Sequence, residues 1–223
     1  MKNFWPLPLA VLLIGGLTAC PSPTIYHTAK PIAAGQNEIT IAPNLAGFIF
    51  PDVETGAGTV DGLNITAPGA EVAFRHGIDE SMDFGIKWST SNPISLTADL
   101  NFALLNTGSL VLSIDPTITP VYFSAGDAST FMLWVTVPVL FDILSTDATA
   151  LTVGLVPGII YGSVSGASGD DRVSVDGFEY GGGAMVGFKA RLGETFSMMP
   201  TGTIMYWMDS EWITYTIGLG FMF

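Results

Sequence analysis

Residues 212–223 read WITYTIGLGFMF and alternate without a break. Ile213, Tyr215, Ile217, Leu219, Phe221 and Phe223 share one parity, and Thr214, Thr216, Gly218, Gly220 and Met222 share the other. A period of two is a β-strand with one apolar face and one small or polar face. The stretch ends on an aromatic of the apolar face. That suits a closed barrel in lipid, where the last strand pairs with the first and no edge is left bare.

Working back from this strand, the same period recurs through most of the chain. It predicts strands over 38–50, 70–77, 81–90, 94–105, 109–123, 130–143, 150–162, 178–191, 197–208 and 211–223. Ten is an even number, as single-chain bacterial barrels have. In 94–104, Ile94, Leu96, Ala98, Leu100, Phe102 and Leu104 alternate with Ser95, Thr97, Asp99, Asn101 and Ala103. A soluble sandwich shows the same alternation. Here nearly every strand has a full apolar face, and the opposite face is small rather than charged. Gly154, Gly158, Gly162, Gly183 and Gly187 suit a crowded barrel interior. The fold class is therefore all-β, a single antiparallel up-and-down transmembrane barrel of about ten strands. Pro43, Pro116, Pro120, Pro138, Pro157 and Pro200 fall inside these strands and argue for bulges or breaks, since proline cannot donate to a ladder.

Composition agrees. Hydrophobic residues are 48% of the 223 and charged residues 12%, against about a quarter charged in an ordinary globular chain. After the leader, no apolar run reaches the roughly 18 residues of a membrane helix. The net charge of −13, from 20 acidic and 7 basic residues, excludes a nucleic-acid partner of the usual basic kind. It also leaves no polybasic patch for anionic lipid.

The last eight residues resemble the carboxy-terminal assembly signal of bacterial outer-membrane barrels, with Thr216, Gly218, Phe221 and Phe223 at its marked positions. This resemblance implies the outer-membrane barrel assembly machinery as a partner. The amino terminus looks like a secretory signal: Lys2, then apolar residues from Phe4 to Leu17, broken by Pro6 and Pro8. Leu17-Thr18-Ala19-Cys20 is similar to the bacterial lipobox, which implies cleavage before Cys20, its lipidation, and the lipoprotein processing enzymes as partners. Pro21 follows where an aspartate would imply inner-membrane retention. Cys20 is the only cysteine, so no internal disulfide forms; the alternative is a plain thiol behind an ordinary signal. The domain reading is a signal peptide over 1–19, a lipidated cysteine and flexible tether over 20–37, and a barrel over 38–223. Tyr26, His27 and Lys30 fall in the tether, where a lone histidine is expected to be solvated.

With both termini on the periplasmic side, the two longest connections, 51–69 and 163–177, fall together on the extracellular side. Trp88, Trp134, Trp207, Trp212, Tyr122, Tyr161, Tyr180 and Tyr206 gather near that end as an expected girdle, although Trp134 has inward parity. Phe74, Phe84, Phe141, Phe196 and Phe223 mark the other end.

The inward charges are Glu71, Arg75, Asp83, Lys87, Asp99, Asp115, Asp142, Lys189 and Arg191. Glu71–Arg75, Asp83–Lys87 and the Lys189–Arg191 pair are expected to form a lumen ladder across neighbouring strands, structural or pore-lining, because lone buried charges are costly. With only His27 and His76 in the chain, a Ser-His-acid triad has no suitable base, since His76 has outward parity near a turn. Gly169, Asp170, Asp171, Asp176 and Glu179 lack a calcium-loop spacing. No catalytic residue, metal or cofactor is expected. The sequence points to a non-enzymatic outer-membrane barrel lipoprotein with a structural, surface-interaction or narrow-pore role, partnered by the bilayer. A lipid-anchored periplasmic β-domain that binds an apolar ligand, and a barrel-type hydrolase, are the alternatives.

Overall fold

The computed structural model describes residues 22–55, 58–90, 95–125, 128–146, 148–168 and 171–223. The expected signal peptide 1–19 and the lipidation site Cys20 lie outside the described residues, as do Gly169 and Asp170. Fourteen strands are formed among the described residues: β1 (Asn37–Ile49), β2 (Val53–Thr55), β3 (Gly58–Val60), β4 (Asn64–Gly77), β5 (Met82–Ser89), β6 (Ser95–Asn106), β7 (Leu110–Ile114), β8 (Thr117–Ala125), β9 (Ala128–Thr136), β10 (Val139–Ile143), β11 (Thr149–Ser168), β12 (Asp171–Arg191), β13 (Ser197–Trp207) and β14 (Trp212–Met222).

All pairings are antiparallel, and the sheet closes. β1 pairs with β4 on one side and β14 on the other. Going round, the order is β1, β4, β5, β6, then β7 with β8, β10 with β9, then β11, β12, β13, β14 and back to β1. β7 and β8 are two halves of one stave, and so are β9 and β10, which makes ten staves in all. At the seam Thr40 faces Met222, Leu45 faces Ile217 and Ile49 faces Ile213. Ile39 and Phe223 exchange both backbone hydrogen bonds, at 3.1 and 3.0 Å.

The prolines mark the irregularities. Pro43 sits in a gap of the seam between the Ile41–Phe221 and Asn44–Gly218 rungs, where its missing N–H would have bonded. Pro116 and Pro138 occupy the breaks that divide the expected strands 109–123 and 130–143. Neighbouring carbonyls are still used there: Leu100 N–H donates to Pro116 O, Asp115 N–H to Pro138 O and Val137 N–H to Pro157 O. Pro200 lies in a gap of the β12–β13 ladder, and Pro120 lies past the last β6–β8 rung. Asp115 keeps the inward parity of Val111 and Ser113 and lies in the lumen, 1% exposed.

The two faces divide as the alternation predicts. On β14, Ile217 is 62% exposed to the outside, while inward Thr214 and Thr216 are buried. The two long connections are largely strand rather than loop. Residues 51–69 hold the β2–β3 hairpin and the start of β4, and 163–177 continue β11 and β12, which pair over twenty rungs from Thr149–Ala190 to Ser168–Asp171. Cross-strand pairing overrides the turn preference of Gly, Ser and Asp there. At the opposite end, the β4–β5 turn is tied by Ile78 and Asp79 N–H donating to Met82 O. The Ser81 hydroxyl and N–H hold the Asp79 carboxyl below the usual carboxylate range.

The girdle also needs correction. Trp88, Tyr122, Tyr180 and Tyr206 do face outward, but Trp134 and Trp207 are buried in the lumen and Trp212 packs against them. Room for these rings comes from the β11–β12 wall. A Cβ on Gly181 would lie 2.5 Å from the Trp207 ring, and one on Gly183 would lie 2.0 Å from Ile204 O.

The seam gives the direct test of this register. In a Cys20→Ser background, Leu45→Cys with Ile217→Cys should cross-link on oxidation of the folded protein and hold the barrel shut when heated in detergent. Leu45→Cys with Leu219→Cys should not.

Candidate functional site in the plugged lumen

Residues 22–36 are no solvated tether. They run inside the barrel, from Ser22 beside Thr216 down to the end where β1 and β14 meet. Ser22, Thr24, Ile25, Tyr26, Thr28 and Ala29 are all buried. At the rim, Gly35 N–H donates to Gly77 O and Gly77 N–H to Gln36 O. The segment is an internal plug.

Its backbone is held by lumen charges. Lys87 Nζ donates to Ser22 O at 2.9 Å and Thr24 O at 2.6 Å. Asp142 accepts from Ala29 N–H and Lys30 N–H, both at 2.9 Å, and from the Thr152 hydroxyl at 2.7 Å. Asp83 accepts from Ile32 N–H at 2.9 Å. Asn101 Nδ2 donates to Ala29 O at 3.4 Å. An extended segment with no sheet partner would otherwise bury unpaired peptide groups, each at a cost of about 1–3 kcal/mol.

Side chains add to the seat. His27 Nε2 lies 3.0 Å from Asp115 Oδ2, and its Nδ1 lies 3.0 Å from Thr28 O. The expectation of a solvated His27 is overturned: both ring nitrogens are taken up by contacts within the seat. Tyr26 packs on Gly218 and Gly220, where a Cβ at Gly218 would come within 2.3 Å of the phenol oxygen. Gly218 thus makes room for the plug. Phe221 and Phe223 pack on Phe196 at the rim.

The expected ladder is rewired. Arg75 binds Asp83 through Nε at 3.2 Å, reaches Asp99 through Nη2, and stands 3.8 Å from Asp115. Lys87 pairs with Glu71 at 3.5 Å instead of Asp83. Lys189 pairs with Glu38 at 2.7 Å, and Arg191 is exposed at the rim, so no Lys189–Arg191 pair forms in the lumen. The reason is geometric: residues four apart on one strand lie about 13 Å apart, so the partners come from neighbouring staves, with Arg75, Gly85 and Asp99 in one row across β4, β5 and β6. His27, Asp99 and Asp115 bring ligand-type atoms within 4.8 Å of one another. Arg75 already supplies positive charge to both carboxylates there. Glu179 accepts from Ser210 at the far end, and His76 bonds Asn37 on the rim at 2.7 Å.

Two kinds of lining meet in the lumen. Most of its charges lie on the wall from β4 to β8, with threonines on both walls. Phe48, Val111, Trp134, Leu140, Val156, Ile160, Met185, Met205 and Trp207 form an apolar cluster that also takes up Ile25 and Ala29 from the plug. The Trp134 and Trp207 rings meet edge to face at 5.0 Å, and Trp212 stacks with Phe48 and Phe50. A cavity of about 60 Å³ remains beside the plug, lined by Lys87, Thr97, Asp99, Thr119 and Thr136 among others. It has space for a few ordered waters.

No family model and no curated protein matches the sequence. Among solved structures, the chain is similar in fold to Neisserial surface protein A, at 9% identity over 83% of this chain and 95% of that one, with a TM-score of 0.41. It is also similar to the outer membrane protease OmpT of Escherichia coli, at 8% identity over 83% and 93%, with a TM-score of 0.44. A third is Ail, the attachment invasion locus protein of Yersinia pestis, at 14% identity over 85% and 99%, with a TM-score of 0.35. The likeness is one of fold.

Asp142 is the plug's most heavily used anchor. Asp142→Ala leaves two plug N–H groups and the Thr152 hydroxyl without their acceptor, and should lower stability by about 3 kcal/mol. The check is the denaturant midpoint of the refolded barrel. A midpoint unchanged from wild type would contradict the seat.

Proposed function

We propose that the chain is a non-enzymatic outer-membrane β-barrel whose lumen is closed by its own amino-terminal segment. It serves a structural or surface-interaction role and is not a standing pore. The observation that carries this reading is the plug, with Ser22 to Ile32 held by Lys87, Asp83, Asp115 and Asp142. The outside supports a lipid setting. Ile41, Leu45, Val72, Ile86, Leu155, Val186, Ile204 and Ile217 are all exposed there, a band that a water-soluble protein would not leave bare. Tyr122, Tyr180 and Tyr206 border it on one side and Phe188 and Phe223 on the other, as at two membrane interfaces.

In this proposal the ends bearing Asn37 and Phe223 face the periplasm, and the extended β11–β12 hairpin stands on the extracellular side as the surface for contacts. The barrel assembly machinery inserts the chain, lipoprotein processing at Cys20 supplies an anchor when the segment lies outside the lumen, and the closed lumen belongs to the non-acylated chain. Against a hydrolase stands the engagement of both histidines, His27 in the plug seat and His76 with Asn37. Against an apolar-ligand pocket stands the packed apolar cluster inside the lumen.

Planar-bilayer recording tests the closure. Refolded, non-acylated protein that shows heat-modifiable migration should insert without conductance steps. Steady channels from the intact protein would refute the closed lumen.

A further inference from the structure

We propose that the plug is a displaceable gate, and that the barrel without it is a cation-selective pore. This rests on the reading of the chain as a plugged membrane barrel. Three observations carry it.

The first is how the plug is held. It belongs to no sheet, and its only described covalent link to the barrel is the rim stretch 33–36, whose residues are exposed. Its seat combines side-chain bonds to backbone and one His27–Asp115 pair with the packing of Ile25, Tyr26 and Ala29, and it leaves a small cavity along one flank. Ion-type contacts of this kind are lost when water re-enters, because each partner regains its own hydration.

The second is reach. Thr216 is seven positions from Phe223, so Ser22 lies roughly 18 Å inside that rim for strands tilted about 40°. Two residues of chain span at most about 7 Å. An acyl chain on Cys20 in the leaflet at that rim therefore requires Ser22 to leave its seat. The lipobox and the plug describe two positions of one segment.

The third is the charge that the plug covers. Among the described residues, the wall of the lumen around it carries Glu71, Asp83, Asp99, Asp115 and Asp142 against Arg75 and Lys87. Five carboxylates less two cations leaves an excess of three negative charges, while Lys189 and Glu38 cancel near the rim. The seated segment offsets part of this with the N–H groups of Ala29, Lys30 and Ile32 and with the His27 ring. Once it leaves, water and mobile cations take over that work, and a ring of carboxylates in a narrow passage favours cations. The passage follows the charged wall of β4 to β8 that the segment covers.

The experiment cuts the gate after folding, so that folding itself is not at risk. A specific protease site is placed at 33–36 in the otherwise intact chain. The barrel is refolded, cleaved and washed in salt, and release of the segment is followed by mass. In bilayers under a KCl gradient, the uncut protein should be silent. The cut protein should conduct, with a K⁺ to Cl⁻ permeability ratio of several-fold. Asp99→Asn with Asp115→Asn should bring that ratio toward one. A cut barrel that does not release the segment, that stays silent after release, or that conducts without cation preference overturns the proposal. Conductance from the uncut control would instead refute the closed-lumen reading on which it rests.

Discussion

A closed ladder removes every strand edge but creates an inside that must be filled. Pairing of β1 with β14 fixes the number of staves at ten, and with it a lumen too wide for wall side chains alone. The protein meets this constraint in two ways. On one side, Trp207 and Met205 lean into space left by glycines of β11 and β12. On the other, a backbone segment is laid against charged side chains. The plug is therefore a consequence of closure at this stave number.

The plug in turn explains the lumen charges. In a drained interior each carboxylate needs donors. Asp142 takes three, two of them plug peptides. Asp83 divides itself between Arg75 and Ile32. Asp115 faces His27 from the inward parity it shares with Ser113. The interior prolines, which look like defects when read as strand residues, sit where the ladder has gaps.

The barrel was legible in the sequence because a period of two survives packing: Ile217 is outward and Thr216 inward, as their parity says. The lumenal tryptophans were half legible. Trp134 carries inward parity, but the amphipathic habit of tryptophan argues for an interface. The plug was not legible. Residues 22–36 bond through their peptides to side chains far away in sequence, and such contacts impose no period. The available signal was arithmetic: more inward acids than inward bases, in a lumen that must satisfy all of them. Reading His27 and Lys30 as tether residues missed that donors to Asp115 and Asp142 lay there.

The central claim is that the amino-terminal segment lies inside the barrel, with the Ser22 hydroxyl 3.5 Å from that of Thr216. The most direct measurement is oxidation of Ser22→Cys with Thr216→Cys in the folded protein, in a Cys20→Ser background. The account predicts an intramolecular disulfide that forms in the folded barrel and protects both thiols from a membrane-impermeant maleimide. Two thiols that stay uncrosslinked, with position 22 freely labelled from solution, would contradict it.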